Sequence, residues 1–347
     1  MPATHAITPQ EALQRVIEHR EIFHDEMLHI MRLIMGGDMS PVLMAAFISA
    51  LRVKKETIGE ITAAAQVMRE FSTKVSVADA QHMVDIVGTG GDGSHTFNVS
   101  TGAALLAVAA GARVVKHGNR SISSRSGSAD LLEALGLPIP LDESAAARCL
   151  EDTGFTFLFA PHYHPAMKAI APVRAALGVR TVFNLLGPLV NPAAPPFQLT
   201  GAYSAPAAKL MADALAGLPI RRAFVVHGEP GWDEPTPVGP FLLYDVRPGQ
   251  VTCTTRSAAD FGLPSCVAED LRGGDAAFNA AALRAVFAGT DRGAHRDALL
   301  MSAALALELT GAVDNPLEGV SCAQAAIDSG AASAVLGRLA EFGARLR

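Results

Sequence analysis

Up to about Val77 the chain carries helix punctuation and no strand-like alternation of apolar and polar positions. Thr8-Pro9-Gln10-Glu11 combines the residues of a capping box with Pro at the first helical position, where its missing N–H costs nothing, and predicts a helix start. A second helix is predicted from Ile22 to Met35, stopping at Gly36-Gly37. A third starts at Ser40-Pro41, and a fourth at the capping box Thr57-Ile58-Gly59-Glu60. The expectation is a small four-helix bundle.

The pattern then changes. Met83-Val84-Asp85-Ile86-Val87 is a short apolar run that breaks off in Gly88-Thr89-Gly90-Gly91-Asp92-Gly93, the form of a strand feeding a glycine loop. A helix is predicted from Val99 to Gly111, a strand from Ala112 to Lys116 and a helix from Ser128 to Gly136, an alternation that suits a parallel sheet. Further strands are predicted at Phe155 to Ala160, Gln198 to Tyr203, Ala223 to His227, Phe241 to Val246 and Val251 to Thr255. Pro165 to Leu186 reads as helical, Gly187 to Pro196 as a proline-rich crossover between two lobes, and the chain from Ala276 as mainly helix. The outcome is a helical lobe beside an α/β lobe.

With 347 residues, half of them apolar and 18% charged, the chain is long enough for two domains and too apolar for disorder. Twenty-eight Lys and Arg against 34 Asp and Glu give a net charge of -6 with no basic tract, which argues against a polynucleotide partner. Cys149, Cys253, Cys266 and Cys322 match no zinc or redox spacing and read as buried thiols in a reducing compartment. The N-terminal residues lack the basic start and apolar stretch of a signal peptide, and the run Val99 to Ala112 is shorter than the roughly 20 residues that span a bilayer. A cytoplasmic protein without a membrane partner is expected.

Candidate chemistry sits where strands end. The glycines of the loop at 88–93 remove side chains from a turn, so that backbone N–H groups and the next helix's positive end can converge on a phosphate; an ordinary strand-to-helix turn has the same composition. The loop follows neither the Walker nor the usual Rossmann spacing, which disfavours ATP and NAD. Asn98-Val99-Ser100-Thr101 stands at the following helix start, either as caps or as phosphate ligands. Lys116-His117-Gly118-Asn119-Arg120-Ser121 groups cations and hydroxyls at a strand end, as recognition of a polyanion requires. Asp233-Glu234 offers hard oxygens for Mg²⁺ or forms an acidic surface turn. Arg174 presents a planar fork to a carboxylate or to an interlobe ion pair. Trp232 packs its loop or covers a ligand. His162 and His164 lack a third ligand for zinc.

Taken together, the blocks GTGGDGSHTFNVST (88–101), KHGNRSISSRSGSADLLEALG (116–136) and FLFAPHYHPAMKAIAPVRAALGVRTVFNLLGPLVNP (157–192), followed by Gly231-Trp232-Asp233-Glu234, closely resemble the anthranilate phosphoribosyltransferase family of tryptophan biosynthesis. The resemblance implies a small all-helical N-terminal domain plus a large α/β domain with a mostly parallel central sheet flanked by helices. Residues 1–77, completed by a segment around 174–196, would form the first; 78–173 and 197–347 would form the second. It implies a homodimer through the helical domain and two Mg²⁺ ions per monomer.

Phosphoribosyl pyrophosphate would be bound by Gly88, Gly91, Asp92, Thr96, Asn98, Val99, Ser100, Thr101, Lys116, His117, Gly118, Asn119, Arg120, Ser121, Ile122, Ser123, Ser124 and Ser128. Anthranilate would meet Gly88, Asn119 and Arg174, with His117, His164 and Met167 as further lining residues. Ser100, Asp233 and Glu234 would serve the metal. Trp232 and the continuation Pro235-Thr236-Pro237 depart from the family's pattern. The implied reaction is displacement of pyrophosphate at the anomeric carbon by the anthranilate amine. An aryl amine is neutral at pH 7, so no acid or base residue is required, and Lys116 would act electrostatically. Closure about 77–83 and 187–196 would bring the substrates together. The alternatives are a nucleoside phosphorylase-like enzyme and a non-catalytic nucleic-acid-binding relative of the fold.

Overall fold

The computed structural model describes residues 6–121 and 125–346. Both capping boxes form. The Thr8 hydroxyl accepts from the Glu11 N–H at 3.2 Å and the Glu11 carboxylate accepts from the Thr8 N–H at 2.8 Å; Thr57 and Glu60 repeat the exchange at 3.3 and 2.9 Å. These boxes start α1 (Pro9–Ile17) and α4 (Ile58–Glu70). Between them lie α2 (His24–Gly36), ended by left-handed Gly37, and α3 (Pro41–Lys54), capped by Ser40.

The α/β part continues with β1 (Met83–Gly88), α5 (Val99–Ala109), β2 (Arg113–Gly118), α6 (Ser128–Ala134), α7 (Glu143–Thr153) and β3 (Phe155–Phe159). The segment from Pro165 to Leu186, expected to be helical, is so in short pieces. After α8 (Ala160–Tyr163) come a 3-10 turn at Pro165–Lys168, α9 (Ala171–Leu177) and α10 (Phe183–Leu186). Pro172 fits only the first turn of a new helix, and Gly178, at φ 61°, ends it. Then follow β4 (Phe197–Gly201), α11 (Ala205–Ala216), β5 (Arg222–Gly228), β6 (Phe241–Arg247) and β7 (Gln250–Arg256), and finally α12 (Ala276–Phe287), α13 (Ala294–Thr310), α14 (Pro316–Asp328) and α15 (Ala331–Arg345). The pattern reading missed α7 and α11, although Asp142 and Ser204 cap them through their side chains.

The strands form one sheet in the order β3-β2-β1-β4-β5-β6-β7, parallel through β5 and antiparallel for β6 and β7. The chain builds outward from β1 to β3, then returns to the other side of β1 to lay down β4. The carboxyl ends of β1 and β4 are thus the point at which an open α/β sheet forms its crevice. In register, Gly88 pairs with Gly201 there.

The period of two along β5 assigns alternate side chains to two cores. Phe224 and Val226 join one built on β1 to β4 with α5 and α13, while Ala223 and Val225 join another that holds α1 to α4, residues 170–190 and α11. α13 is buried on all sides from Asp297 to Leu309, as its almost uninterrupted apolar sequence requires. Of the four cysteines expected to be buried only Cys149 is; Cys266 is half-buried, and Cys253 on the edge strand β7 and Cys322 on α14 are exposed. No helix among the described residues is long and apolar enough to cross a membrane.

Candidate active site

Three neighbouring parallel strands, β1, β4 and β5, end on Gly88, Gly201 and Gly228. Asp233 and Glu234 lie across those ends. A Cβ on Gly88 would run into the Asp233 carboxylate, one on Gly201 into the Asp233 carbonyl, and one on Gly228 into the Glu234 carbonyl. None of the three has a positive φ, so close approach rather than backbone conformation demands glycine there. In the following loop the reason is the other one: Gly90, Gly91 and Gly93 have φ of 68°, 70° and 75°.

The acidic pair is tied from several sides. Asp233 Oδ2 accepts from the Gly90 N–H at 2.6 Å and the Thr89 hydroxyl at 3.4 Å, and the Asp233 N–H donates to Asp92 at 3.2 Å. Glu234 accepts from the Ser100 N–H at 3.1 Å, in the first turn of α5. Lys116, 1% exposed, donates to the Ile86 carbonyl and, at 3.2 Å, to Ser100 Oγ, the hydroxyl of the residue whose N–H holds Glu234. Burial pushes the carboxyls of Asp233 and Glu234 well above the usual range, and neighbouring carboxylates add to this. Burial pushes the Lys116 ammonium down, while Asp85, Glu234 and Asp233 pull it back. An excess of buried carboxylate over ammonium is an environment that a hard cation would relieve.

Behind Lys116, Asp85 is fully buried and accepts from the His117 N–H at 3.2 Å and from Asn191 at 2.8 Å; burial raises its pKa to about 6 against the pull of Lys116. Asn191 also donates to the Val115 carbonyl at 2.9 Å, and His117 Nδ1 meets the Gly187 carbonyl at 3.1 Å, so segment 187–191 is anchored to the strand ends. The His117 and His164 rings meet edge to face with centroids 5.1 Å apart. Burial lowers their pKa values to about 3 and about 4, which makes both neutral at pH 7. His117 Nε2 has no hydrogen-bond partner among the described residues. Arg174 leans on the Phe183 ring, its guanidinium carbon 5.4 Å from the centroid, and forms no ion pair among the described residues. A strand-end crevice with a glycine loop, a buried acid pair and a lysine is built for an anionic, metal-associated ligand; the neutral histidines and unpaired arginine suit an aromatic acid.

Comparison with known proteins gives the same picture. The description "Glycosyl transferase family, helical bundle domain" matches residues 10–72, and "Glycosyl transferase family, a/b domain" matches residues 80–333. An anthranilate phosphoribosyltransferase from Polaromonas sp. is 54% identical over 98% of this chain and 97% of its own length. The chain belongs to the anthranilate phosphoribosyltransferase family. Among solved structures of the family, the Thermus thermophilus protein has a TM-score of 0.90 at 41% identity, covering 96% of this chain and 99% of its own. The Saccharomyces cerevisiae enzyme in complex with PRPP and Mg has a TM-score of 0.84 at 29% identity, covering 97% and 98%.

The fold brings together most of what the sequence singled out. Gly88, Asp92, Ser100, Lys116, Asp233 and Glu234 form one connected group, and His117, His164 and Met167 adjoin it, Met167 through its N–H to the His164 carbonyl at 3.0 Å. Asn98 is not a side-chain cap of α5: its amide donates to the Ser126 carbonyl and accepts from Asn279 at 2.8 Å. Val99 and Thr101 are buried in the first turn of that helix. Thr96 bridges to Arg272, which fixes the far end of the glycine loop.

Arg120 turns outward to Asp130 at 2.8 Å and to Glu133 at 2.6 Å, and Ser121 joins it there through its N–H to Asp130. Asn119 is exposed, and its side chain accepts from the Arg120 N–H at 2.7 Å; no hydrogen bond joins it to Arg174 among the described residues. Gly118 ends β2 against the Phe157 ring, close to Ser128. Ile122, Ser123 and Ser124 lie outside the described residues. Trp232 is 6% exposed and exchanges both backbone hydrogen bonds with Gly228, so it packs the loop. Gly201, Gly228 and Asp85 were missed; a glycine at the end of each strand was the available signal for the first two.

Proposed function

We infer that the chain transfers the 5-phosphoribosyl group from phosphoribosyl pyrophosphate to the amino group of anthranilate, giving N-(5-phosphoribosyl)anthranilate and pyrophosphate in tryptophan biosynthesis. The observation that carries this reading is the seat of Asp233 and Glu234 on the three strand-end glycines and against Ser100, which Lys116 also holds. The loop's N–H groups and the N-terminus of α5 receive the pyrophosphate, and Lys116 holds positive charge at Ser100. Arg174 orients the anthranilate carboxylate. The neutral rings of His117 and His164 line the site without competing for that carboxylate, and the aryl amine, neutral at pH 7 in its own right, is the nucleophile.

Ser100, Asp233 and Glu234 would hold Mg²⁺, two ions per monomer in this reading. Among the described residues no three His, Cys, Asp or Glu side chains converge as a metal site, and Mg²⁺ commonly takes one or two carboxylates together with substrate phosphates. When bound, the metal neutralises charge on the pyrophosphate. The contacts of the glycine loop and of Ser100 with the acid pair and Lys116 support the wider assignment of phosphoribosyl pyrophosphate to Gly88, Gly91, Asp92, Thr96, Asn98 to Thr101, Lys116 to Ser124 and Ser128, within which Arg120 faces Asp130 and Glu133 instead. The reading includes a cytoplasmic enzyme with a helical lobe of 1–77 completed by 174–196, closing on the remainder. It also includes a homodimer through the helical lobe, and the exposed Ile17, Phe23, Val42 and Val53 support that surface.

The test follows anthranilate fluorescence with purified protein, phosphoribosyl pyrophosphate and Mg²⁺. Signal loss that requires both substrates and stops with EDTA is expected. Persistent fluorescence in folded protein, with phosphorolysis of nucleosides in its place, would overturn the reading.

A further inference from the structure

Arg180 is assigned to neither substrate by the sequence pattern or the family resemblance. It lies between α9, which carries Arg174, and α10, whose Phe183 and Leu186 are buried in the core of the helical lobe. From there its guanidinium crosses to the α/β lobe, donates through Nη2 to the Gly91 carbonyl, and rests with its carbon 4.0 Å from the centroid of the Tyr203 ring. Tyr203 is itself fixed to the loop: its N–H donates to Thr89 Oγ1 at 3.1 Å, and the Thr89 N–H donates to the Gly201 carbonyl at 3.0 Å. One set of contacts therefore runs from the Arg174 segment through Arg180 and Tyr203 to the turn that seats Asp233.

The consequence follows from peptide geometry. Gly90, Gly91 and Gly93 all hold left-handed conformations, so this stretch has many accessible states when nothing fixes it. The Gly91 carbonyl and the Asp92 N–H belong to one planar peptide and point in opposite directions. A charge-assisted bond to the carbonyl therefore sets the direction of that N–H and of the Asp92 backbone next to it. The Tyr203 face limits the freedom of the guanidinium that makes the bond.

We propose that Arg180 is a positioning residue for phosphoribosyl pyrophosphate: clamped by Tyr203, it fixes the Gly91–Asp92 peptide in the conformation that receives the pyrophosphate and ties this loop to the segment bearing Arg174. The proposal rests on the function inferred above. Loss of the clamp leaves the loop to be ordered by the ligand, so binding of that substrate weakens while the subsequent chemistry is retained.

Wild-type turnover is measured first, together with calorimetric titration of Mg²⁺ and phosphoribosyl pyrophosphate into the protein without anthranilate. Binding without turnover would refute the assigned function and leave the clamp open to test by titration alone. Arg180→Ala is expected to raise both KM and Kd for phosphoribosyl pyrophosphate by about tenfold, the loss of one charge-assisted hydrogen bond, with kcat and the anthranilate KM within about twofold. Arg180→Lys is expected to fall between, since it keeps a donor but not the flat stack. Tyr203→Leu is expected to act in the same direction, and to add less in the double variant than alone. Arg221→Ala, which removes a similar stack on Phe197 remote from the site, is the control and should change nothing. Unchanged KM and Kd in Arg180→Ala, equal rises for both substrates, a loss confined to kcat, or additive effects with Tyr203→Leu would each overturn the proposal. Arg180 is exposed, and melting curves of the Ala and Lys variants verify that the comparison is made on folded protein.

Discussion

At the strand ends, Asp233 and Glu234 are held by bonds from Thr89, Gly90 and Ser100 and by the Asp233 N–H to Asp92, whereas Arg174 leans on Phe183 and forms no ion pair among the described residues. The first end is assembled largely from main chain, and moving one member moves the rest. The second is assembled from separate side chains on the broken helical segment. The difference teaches where specificity and catalysis can be separated: changes at the strand ends disturb both substrates together, and changes at the α9 side act on one.

The largest effect is expected at a residue that touches neither substrate in the assignment. Gly201→Ala would push the Asp233 carbonyl off the end of β4, and a shift of about 1 Å in such a site costs on the order of a hundredfold in kcat/KM. Steady-state kinetics should show that loss for both substrates; retention within about threefold would mean that the acid pair is not seated as described. Arg174→Ala sharpens the contrast from the other side. Its expected result is a rise of about tenfold or more in the anthranilate KM with the phosphoribosyl pyrophosphate KM nearly constant, since one charged hydrogen-bonding partner is lost. Equal rises would erase the distinction between the two ends.

The smallest effect concerns stability and pH. Folded His164 titrates near pH 4 because it is buried and close to Lys74, against an ordinary value of 6.5. As pH falls below 6.5 the unfolded chain takes up a proton that the folded chain refuses, so stability present at neutral pH is lost toward pH 4. Asp85, raised to about 6, works in the opposite direction in any variant that keeps it. His164→Asn should therefore melt with a shallower decline between pH 6.5 and 4.5 than the wild type in thermal denaturation. Parallel curves would show that His164 is not held neutral by the fold.

Local chemistry made much of this legible. Thr8 and Thr57 announce their helices because a capping box is satisfied within four residues, and the glycine loop announces itself by composition. The need for Gly201 and Gly228 was hidden because the carbonyls that crowd them belong to Asp233 and Glu234, which reach them only in the folded sheet. Arg120 looked like a phosphate ligand in its own segment, yet Asp130 and Glu133 on the next helix face it. The helical reading of 165–186 did not place the breaks at Pro172 and Gly178, and the break after α9 is what places Arg180 on a turn from which it reaches Gly91. α7 and α11 are rich in alanine, and their caps were the clearer signal than their periodicity.

The central claim is transfer to anthranilate with release of pyrophosphate, and stoichiometry tests it most directly. With Mg²⁺ present, pyrophosphate release and anthranilate consumption should proceed mole for mole, with mass spectrometry identifying N-(5-phosphoribosyl)anthranilate as the sole product. Pyrophosphate released without loss of anthranilate, or anthranilate left unchanged while another acceptor is ribosylated, would contradict the account.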